Sequence, residues 1–462
     1  MSVQQLAEML DRAHEGPVCS LEEWDIERVP KMIRSKLGKY GLAKTFTPAD
    51  PVNDDDDLAD RFFKAGYETA YELGVYCQDT ERVIHFTEEE LFQAIQNAPR
   101  QLRLGRGKDQ VLMRSRRPED GVPPLAKAPL GIVVSEEHWV ALHVGIALQK
   151  EVDIMQGGSL QTVFGRPLRG GTPYETLAGR LQAQLHREAL WRAGRPGMPA
   201  SSVITSPTAF GQLGGFGVPG GFSVEQDMGI VLAPSEMKTT FDALHKVASM
   251  LGMGAVMMGS ASPMIGGYAG PPEGAAVAGI AWALAQYVVH QVHYGACSGM
   301  DIRVNCNTNR PGIWTLSVIN QALSRNTDLL VQSLSNQLGG PMTEMLLWES
   351  AAILIALSVS GISVALFPRS AGGKYANHLS PLECKFCAQV VKTAAGLTRR
   401  QANEMVKQIV PRYEDKLQAP EIGVPFWECY DVKSLTPAPE WRAMYEKVRG
   451  ELIEMGLPLP AA

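Results

Sequence analysis

Cys384 and Cys387 in ECKFC form a C-x-x-C pair, a spacing that can lend two thiolates to zinc or form a redox disulfide. Neither a second C-x-x-C nor a nearby histidine pair completes such a site. On a helix both sulfurs share one face beside Phe386, so packing is the favoured reading and no metal is expected. His290 and His293 in YVVHQVHYG repeat the pattern with histidines, again without a carboxylate or cysteine close by. The acidic run at 54–57 follows Pro51 and precedes an apolar-periodic segment, which suits a helix N-terminus better than a metal. The glycine-rich segments QLGGFGVPGGF and GGYAGPP match neither G-x-G-x-x-G nor G-x-x-x-x-G-K-[ST], and their prolines interrupt any helix start that would receive a phosphate. There is no G-x-S-x-G elbow either, which argues against an α/β-hydrolase.

These residues sit in a chain of 462 residues with 43 Lys+Arg against 49 Asp+Glu, so the net charge of −6 offers no polyanion footprint and nucleic acid is not an expected partner. Seven scattered cysteines and an N-terminus without an apolar core point to a reduced, cytoplasmic protein. Residues 247–272 and 350–368 carry no formal charge. The first is interrupted by glycines and prolines, and the second has no basic flank on its N-terminal side. Both read as segments buried between layers rather than membrane spans.

Residues 1–125 are charged and helix-patterned, as in LEEWDIERVPKMIRSKLGKYG and DDLADRFFKAGYETAYELGVY. RLGRGKDQVLMRSRRPEDG reads as a short hairpin or connector. From Pro129 onward short apolar runs (LGIVVS, VDIMQGG, SVITS, GAVMMGS, DIRVNC, TDLLVQS, ISVALF) alternate with helical stretches such as TPYETLAGRLQAQLHREALWRAG. That rhythm predicts an α/β fold, a (β/α)8 TIM barrel over 126–420, with a helical N-terminal region (1–125) packed on it and a C-terminal arm and helix over 421–462. The active site of such a barrel lies at the C-terminal ends of its strands. Those ends are rich in Gly and Ser here, which leaves room for a ligand.

Several blocks then resemble the monomethylamine:corrinoid protein methyltransferases of methylotrophic methanogens. They are KAGYETAYELGVYCQDTERVIHFTEEEL, VVSEEHWVALHVGIALQKEVD, TPYETLAGRLQAQ, RAGRPGM, MIGGYAG with Glu273 shortly after, PMTEMLLWESAA and ECYDVKSLTP. The resemblance runs from about Asp11 to the C-terminus. It implies a barrel enzyme that moves a methyl group from a small methylated amine to the cobalt(I) of a separate corrinoid protein. The corrinoid is then not tightly bound but supplied by that partner, and a homo-oligomer is expected.

The departures from the family are chemical. Its pyrrolysine slot, placed by RAGRPGM, falls on Ser201; the flanking glutamates fall on Ser260 and near Gly229 or Ile230; and the polar pair of the seventh strand loop falls at or within a residue of Leu334 and Asn336. Serine cannot form the amine adduct implied for pyrrolysine, so free monomethylamine is disfavoured. A quaternary ammonium or a sulfonium needs no such activation, because its leaving group departs neutral. The expected substrate-binding residues are Ser201, Ser202, Ser260, Ser262, Tyr268, Gln156, Asn336, Glu136 and Glu344, with no side chain assigned a catalytic role. Ser201 and Ser260 would hydrogen-bond the donor's polar tail and Tyr268 would face its cation. For Tyr268 and Glu273 a purely architectural role in the loop is the stronger reading, as it is for His143 and Asp153. The alternatives are a barrel lyase or isomerase, and a non-catalytic homologue that binds a methylated ligand or a corrinoid protein.

Overall fold

A computed structural model describes residues 2–201 and 208–460. Its N-terminal helices begin where side chains can cap them. Ser2 accepts from Gln5 N ahead of Val3–Glu15, Asp55 accepts from Leu58 N ahead of Asp56–Leu73, and Thr87 with Glu90 forms a capping box on Glu88–Asn97. The acidic run thus opens a helix. Asp56–Leu73 buries Leu58, Phe62, Ala65 and Leu73 and packs on the helices Pro272–Val289 and Arg310–Asn326. The basic segment after them forms the antiparallel pair Gln101–Leu104 and Val111–Arg114.

Seven strands form one parallel sheet, in the spatial order Ile154–Met155, Leu125–Ala128, Val364–Leu366, Val331–Leu334, Tyr294–Cys297, Val256–Ala261, Met228–Leu232. Its two edges are joined through a short segment, since Ala200 bridges in parallel to Met155 and Ser201 to Met228. Asp227 secures that segment by accepting from Ala200 N at 2.8 Å and Ser223 N at 2.7 Å while paired with Arg187. The result is barrel-like: helices Glu136–Ala147, Pro173–Arg192, Phe241–Met253, Pro272–Val289, Arg310–Asn326, Glu344–Val359 and Pro381–Thr393 alternate with the strands.

One face of the sheet is a separate apolar cluster of Ile154, Met228, Ile230, Met258, Tyr294, Leu330, Leu334, Val364 and Leu366, and the hairpin adds Leu104 and Met113 to it. The other face packs on the helices in the main core. Strands covered on both faces are apolar throughout, which is why periodicity alone separates them poorly from buried helix.

Several sequence expectations need correcting. LGIVVS is not a strand: the strand is Leu125–Ala128, and Ile132 and Val134 pack into the helical core from the loop that follows. DIRVNC does not enter the main sheet either: only Asp301 is in a strand, the short Met300–Asp301 that pairs with Met264–Ile265. Asp301 folds it into a tight loop by accepting from Arg303 N at 3.0 Å and Asn309 Nδ2 at 2.8 Å, and the sheet uses Tyr294–Cys297 instead. MGIVL (Met228–Leu232) was not anticipated, and SVITS lies outside the described residues. His290 and His293 do not share a helix, because Pro272–Val289 ends before them; Thr239 Oγ1 meets His290 Nε2 at 2.8 Å, and Met257 N donates to His293 Nδ1.

Cys384 and Cys387 are free and buried on helix Pro381–Thr393. Among the described residues no group of three or more His, Cys, Asp or Glu is arranged to hold a metal ion, and no helix is long and apolar enough to cross a membrane. The uncharged stretch 350–368 is the buried end of Glu344–Val359 and the strand Val364–Leu366.

Candidate active site

At the C-terminal ends of the strands the sheet encloses a cavity of about 180 Å³ lined by Leu130, Gly131, Gln156, Ser159, Ile230, Leu232, Met258, Ser260, Leu334 and Leu366. A comparable space of about 190 Å³ lies elsewhere, between surface helices at the C-terminal end of Pro272–Val289. Only the former sits where a parallel α/β sheet presents its ligands.

Local geometry holds the polar residues of this cavity in place. Gln156 follows strand Ile154–Met155 and donates its backbone N–H to Ala128 O at 2.8 Å, while its side-chain Oε1 is buried with no partner among the described residues. Beside it, Gly158 N donates to His143 Nε2 at 2.7 Å and His143 Nδ1 lies 2.6 Å from Trp139 O. This pairing requires the neutral Nδ1–H tautomer, and burial pushes His143 down to about 3. His143 thus supports the turn below the cavity, the architectural role expected of it. His186 Nε2 stands 3.0 Å from Gln156 O. Gly157 has φ +83° and a Cβ there would meet His186 Nε2 at 2.2 Å. Gly157→Ala is therefore expected to lower the unfolding free energy by about 1–3 kcal/mol in urea titrations; an unchanged midpoint would show that the turn relaxes freely.

Ser201 is fully buried beside the cavity's strands, donates its N–H to Met155 O at 2.8 Å, and leaves its Oγ without a partner among the described residues. Ser260 lies one residue before the end of Val256–Ala261 and lines the cavity. Gln156, Ser201 and Ser260 therefore gather at the same strand ends. Ser202 lies outside the described residues.

The other expected residues stand elsewhere. Ser262 Oγ is hydrogen-bonded to Ser298 Oγ beyond the strand. Asn336 is buried in the loop after Val331–Leu334, where its N–H donates to Asn307 Oδ1 at 2.8 Å. Glu136 secures the rim hairpin Thr162–Val163/Arg166–Pro167 by accepting from Thr162 Oγ1, Phe164 N and Gly165 N. Tyr268 is half-exposed, with Lys238 Nζ 5.4 Å from its ring centroid. Glu344 pairs with Lys447 of the C-terminal helix Pro439–Glu454. Glu273 accepts from Phe46 N at 3.0 Å, and Asp153 from Ala126 N and Lys392.

Sequence reasoning passed over the strand interior. Lys127, Met258 and Gln332 point inward, and the one available signal was a lysine flanked by alanines in PLAKAP. It also passed over Glu349, a buried carboxylate that receives Thr308 Oγ1 at 2.5 Å, Leu338 N at 3.0 Å and Gly339 N at 2.7 Å.

Comparisons with known proteins agree with this architecture. The family model for monomethylamine methyltransferase MtmB matches residues 4–457. The chain is 31% identical to monomethylamine methyltransferase MtmB of Methanosarcina mazei over 97% of both chains, and 32% identical to MtmB3 of Methanosarcina barkeri over the same shares. It superposes on the crystal structure of the Methanosarcina barkeri monomethylamine methyltransferase with a TM-score of 0.94 at 30% identity, covering 98% of each chain. The hydroxylamine complex of MtmB matches equally well, with a TM-score of 0.94. With the fold and nearly the full length in common, the chain belongs to the monomethylamine methyltransferase MtmB family.

Proposed function

We propose that this protein is a pyrrolysine-independent member of its family, a (β/α)8 barrel closed through Ala200 and Ser201, that transfers a methyl group from a small, fully methylated cationic nitrogen or sulfur to the cobalt(I) of a corrinoid protein. The observation that carries this reading is the cavity lining. It holds neutral polar groups, methionine and aliphatic side chains, with no carboxylate among the described residues. Residues 202–207, Ser-Val-Ile-Thr-Ser-Pro, add none by composition.

Methylamine held in its neutral form could give up its methyl group only by releasing a poor amide anion, and no acid lines the cavity among the described residues to protonate it. A quaternary ammonium or sulfonium avoids that: the C–N or C–S bond breaks with its electron pair kept by the departing atom, which leaves as a neutral amine or sulfide. The nucleophilic electron pair for the new bond to carbon is supplied by the partner's cobalt(I). What remains for the protein is positioning, an effect worth up to about 7–11 kcal/mol in well-oriented cases. Ser201 Oγ and Gln156 Oε1 are buried hydrogen-bonding atoms available to the donor's polar tail, and Ser260 adds a hydroxyl to the lining.

A corrinoid carried by a partner needs an accessible, apolar rim. Phe164, Tyr268, Ile302 and Tyr375, in segments that follow strands, and Leu232, the last residue of its strand, are exposed. Exposed apolar side chains at these positions suit a docking protein rather than bulk water. We place the reaction in the cytoplasm and expect a homo-oligomer.

The test is methylation of cob(I)alamin, free or on a corrinoid protein, followed spectroscopically with methylamines, betaines, N-methyl amino acids and sulfonium compounds. Transfer from a quaternary or sulfonium donor and none from monomethylamine is the expected result. Transfer from monomethylamine would overturn the donor assignment, and no transfer from any donor would overturn the methyltransferase reading.

A further inference from the structure

Lys127 is the one formally charged side chain on the inward face of the strands among the described residues. It lies on Leu125–Ala128, fully buried, between its sheet partners Ile154 and Leu366. Its Nζ is 3.4 Å from Gln332 Oε1, and Gln332 Nε2 is 4.0 Å from Met258 Sδ. Leu366 and Met258 both line the cavity, so the ammonium sits under its floor. None of the ion pairs of the described residues includes Lys127. The other titratable group on the inward face is Tyr294, whose hydroxyl donates to Met228 Sδ and whose burial keeps it protonated, so it supplies no anion.

A buried ammonium without a counter-ion is costly, because its hydration is lost and nothing replaces it. Burial alone pushes Lys127 down to about 7. Barrel interiors ordinarily place branched apolar residues at such positions. A general-base role does not fit the proposed chemistry, since a fully methylated nitrogen or sulfur carries no proton to remove.

We propose that Lys127 is the anion-recognising residue of this cavity and that the methyl donor is a zwitterion. Its carboxylate, or a similar oxyacid group, faces the floor at Lys127 and its methylated cation faces the mouth. This rests on the reading of the cavity as the donor site. The orientation follows from access: the apolar cluster and the hairpin residues Leu104 and Met113 occupy the sheet's inward face beneath the cavity, so the methyl acceptor reaches the donor from the rim. A bare cation would instead meet like charge across a dry cavity. The volume of about 180 Å³ restricts the donor to a small molecule.

Calorimetric titration of the full-length protein, with no corrinoid present, tests this apart from catalysis. The probes are trimethylglycine and dimethylsulfoniopropionate as zwitterions, against choline and the methyl ester of trimethylglycine as cations of similar size. A zwitterion should bind at least about tenfold more tightly than the ester, and Lys127→Met should remove that preference. In the wild-type protein the zwitterion's affinity should be level below pH 7 and fall by up to about tenfold per unit above it, with proton uptake on binding. That profile needs no variant and stands if Lys127→Met fails to fold. Equal or tighter binding of the cations, an affinity indifferent to pH between 6 and 9, or no binding of either zwitterion would overturn the proposal.

Cob(I)alamin methylation separates the two readings. Transfer from choline with no zwitterion preference would leave the methyltransferase reading standing and sink this one. Charge-selective binding without transfer from any donor would sink the methyltransferase reading and the donor assignment with it, and leave standing only Lys127 as the anion-recognising residue of the cavity.

Discussion

Alanine in place of Glu349 is expected to lower the unfolding free energy by about 3–5 kcal/mol. The carboxylate is fully buried on helix Glu344–Val359 and collects Leu338 N, Gly339 N and the Thr308 hydroxyl. It therefore ties the loop after strand Val331–Leu334, which carries Asn336, to the helix behind it. Truncation leaves two backbone donors and a hydroxyl unpaired in a dry site, each costing about 1–3 kcal/mol unless water enters. Glutamine keeps an acceptor for the backbone donors and should lose far less.

The pH dependence has a definite sign. Burial raises Glu349 to about 7 from an ordinary 4.5, so the folded state holds its proton more tightly than the unfolded one. Its contribution is complete below pH 4.5 and is lost as pH rises through 7. The stability gap between wild type and Glu349→Gln should accordingly shift against the wild type between pH 5.5 and pH 7.5. Urea titrations at the two values measure both effects; an alanine variant within 1 kcal/mol of wild type would show that the loop does not depend on this carboxylate.

Phenylalanine at Ser260 is the second large effect: methyl transfer should fall by about a hundredfold or more while the fold persists. Ser260 lines a cavity of only about 180 Å³, and a phenyl ring projecting from the strand end would occupy the donor's space. Misplacing a reacting group by about 1 Å can already cost about a hundredfold, and exclusion costs more. Ser262→Ala is the matched control, because Ser262 Oγ is engaged with Ser298 and does not line the cavity. Initial rates of cob(I)alamin methylation with the best donor, with circular dichroism to verify folding, decide the matter. A Ser260→Phe variant with near-wild-type rates would place the donor elsewhere.

Much of the scaffold was legible because it is encoded locally. The acidic run at 54–57 that opens a helix, the helical period of 173–192 and the alternation of apolar runs with helical stretches are all read within a few residues. The strands were read less well. LGIVVS has β-branched residues but serves as a buried loop, while YGAC has no β-branched residue yet pairs in the sheet, because burial on both faces rewards fit over propensity.

For the site, the sequence by itself determined the family resemblance and supplied the candidate serines, since these depend only on which residue stands at which position. Only the tertiary structure decided which polar groups share a cavity. It put Gln156 and Ser260 in the cavity lining and Ser201 on the adjoining bridge to Met228, and it left Glu136 fastening a hairpin and Glu344 paired at the surface. It also decided that no ion pair of the described residues includes Lys127. Its nearest polar partner is 205 residues away in the chain, and whether a charge is compensated depends on the groups within a few ångströms in space, which no local pattern records.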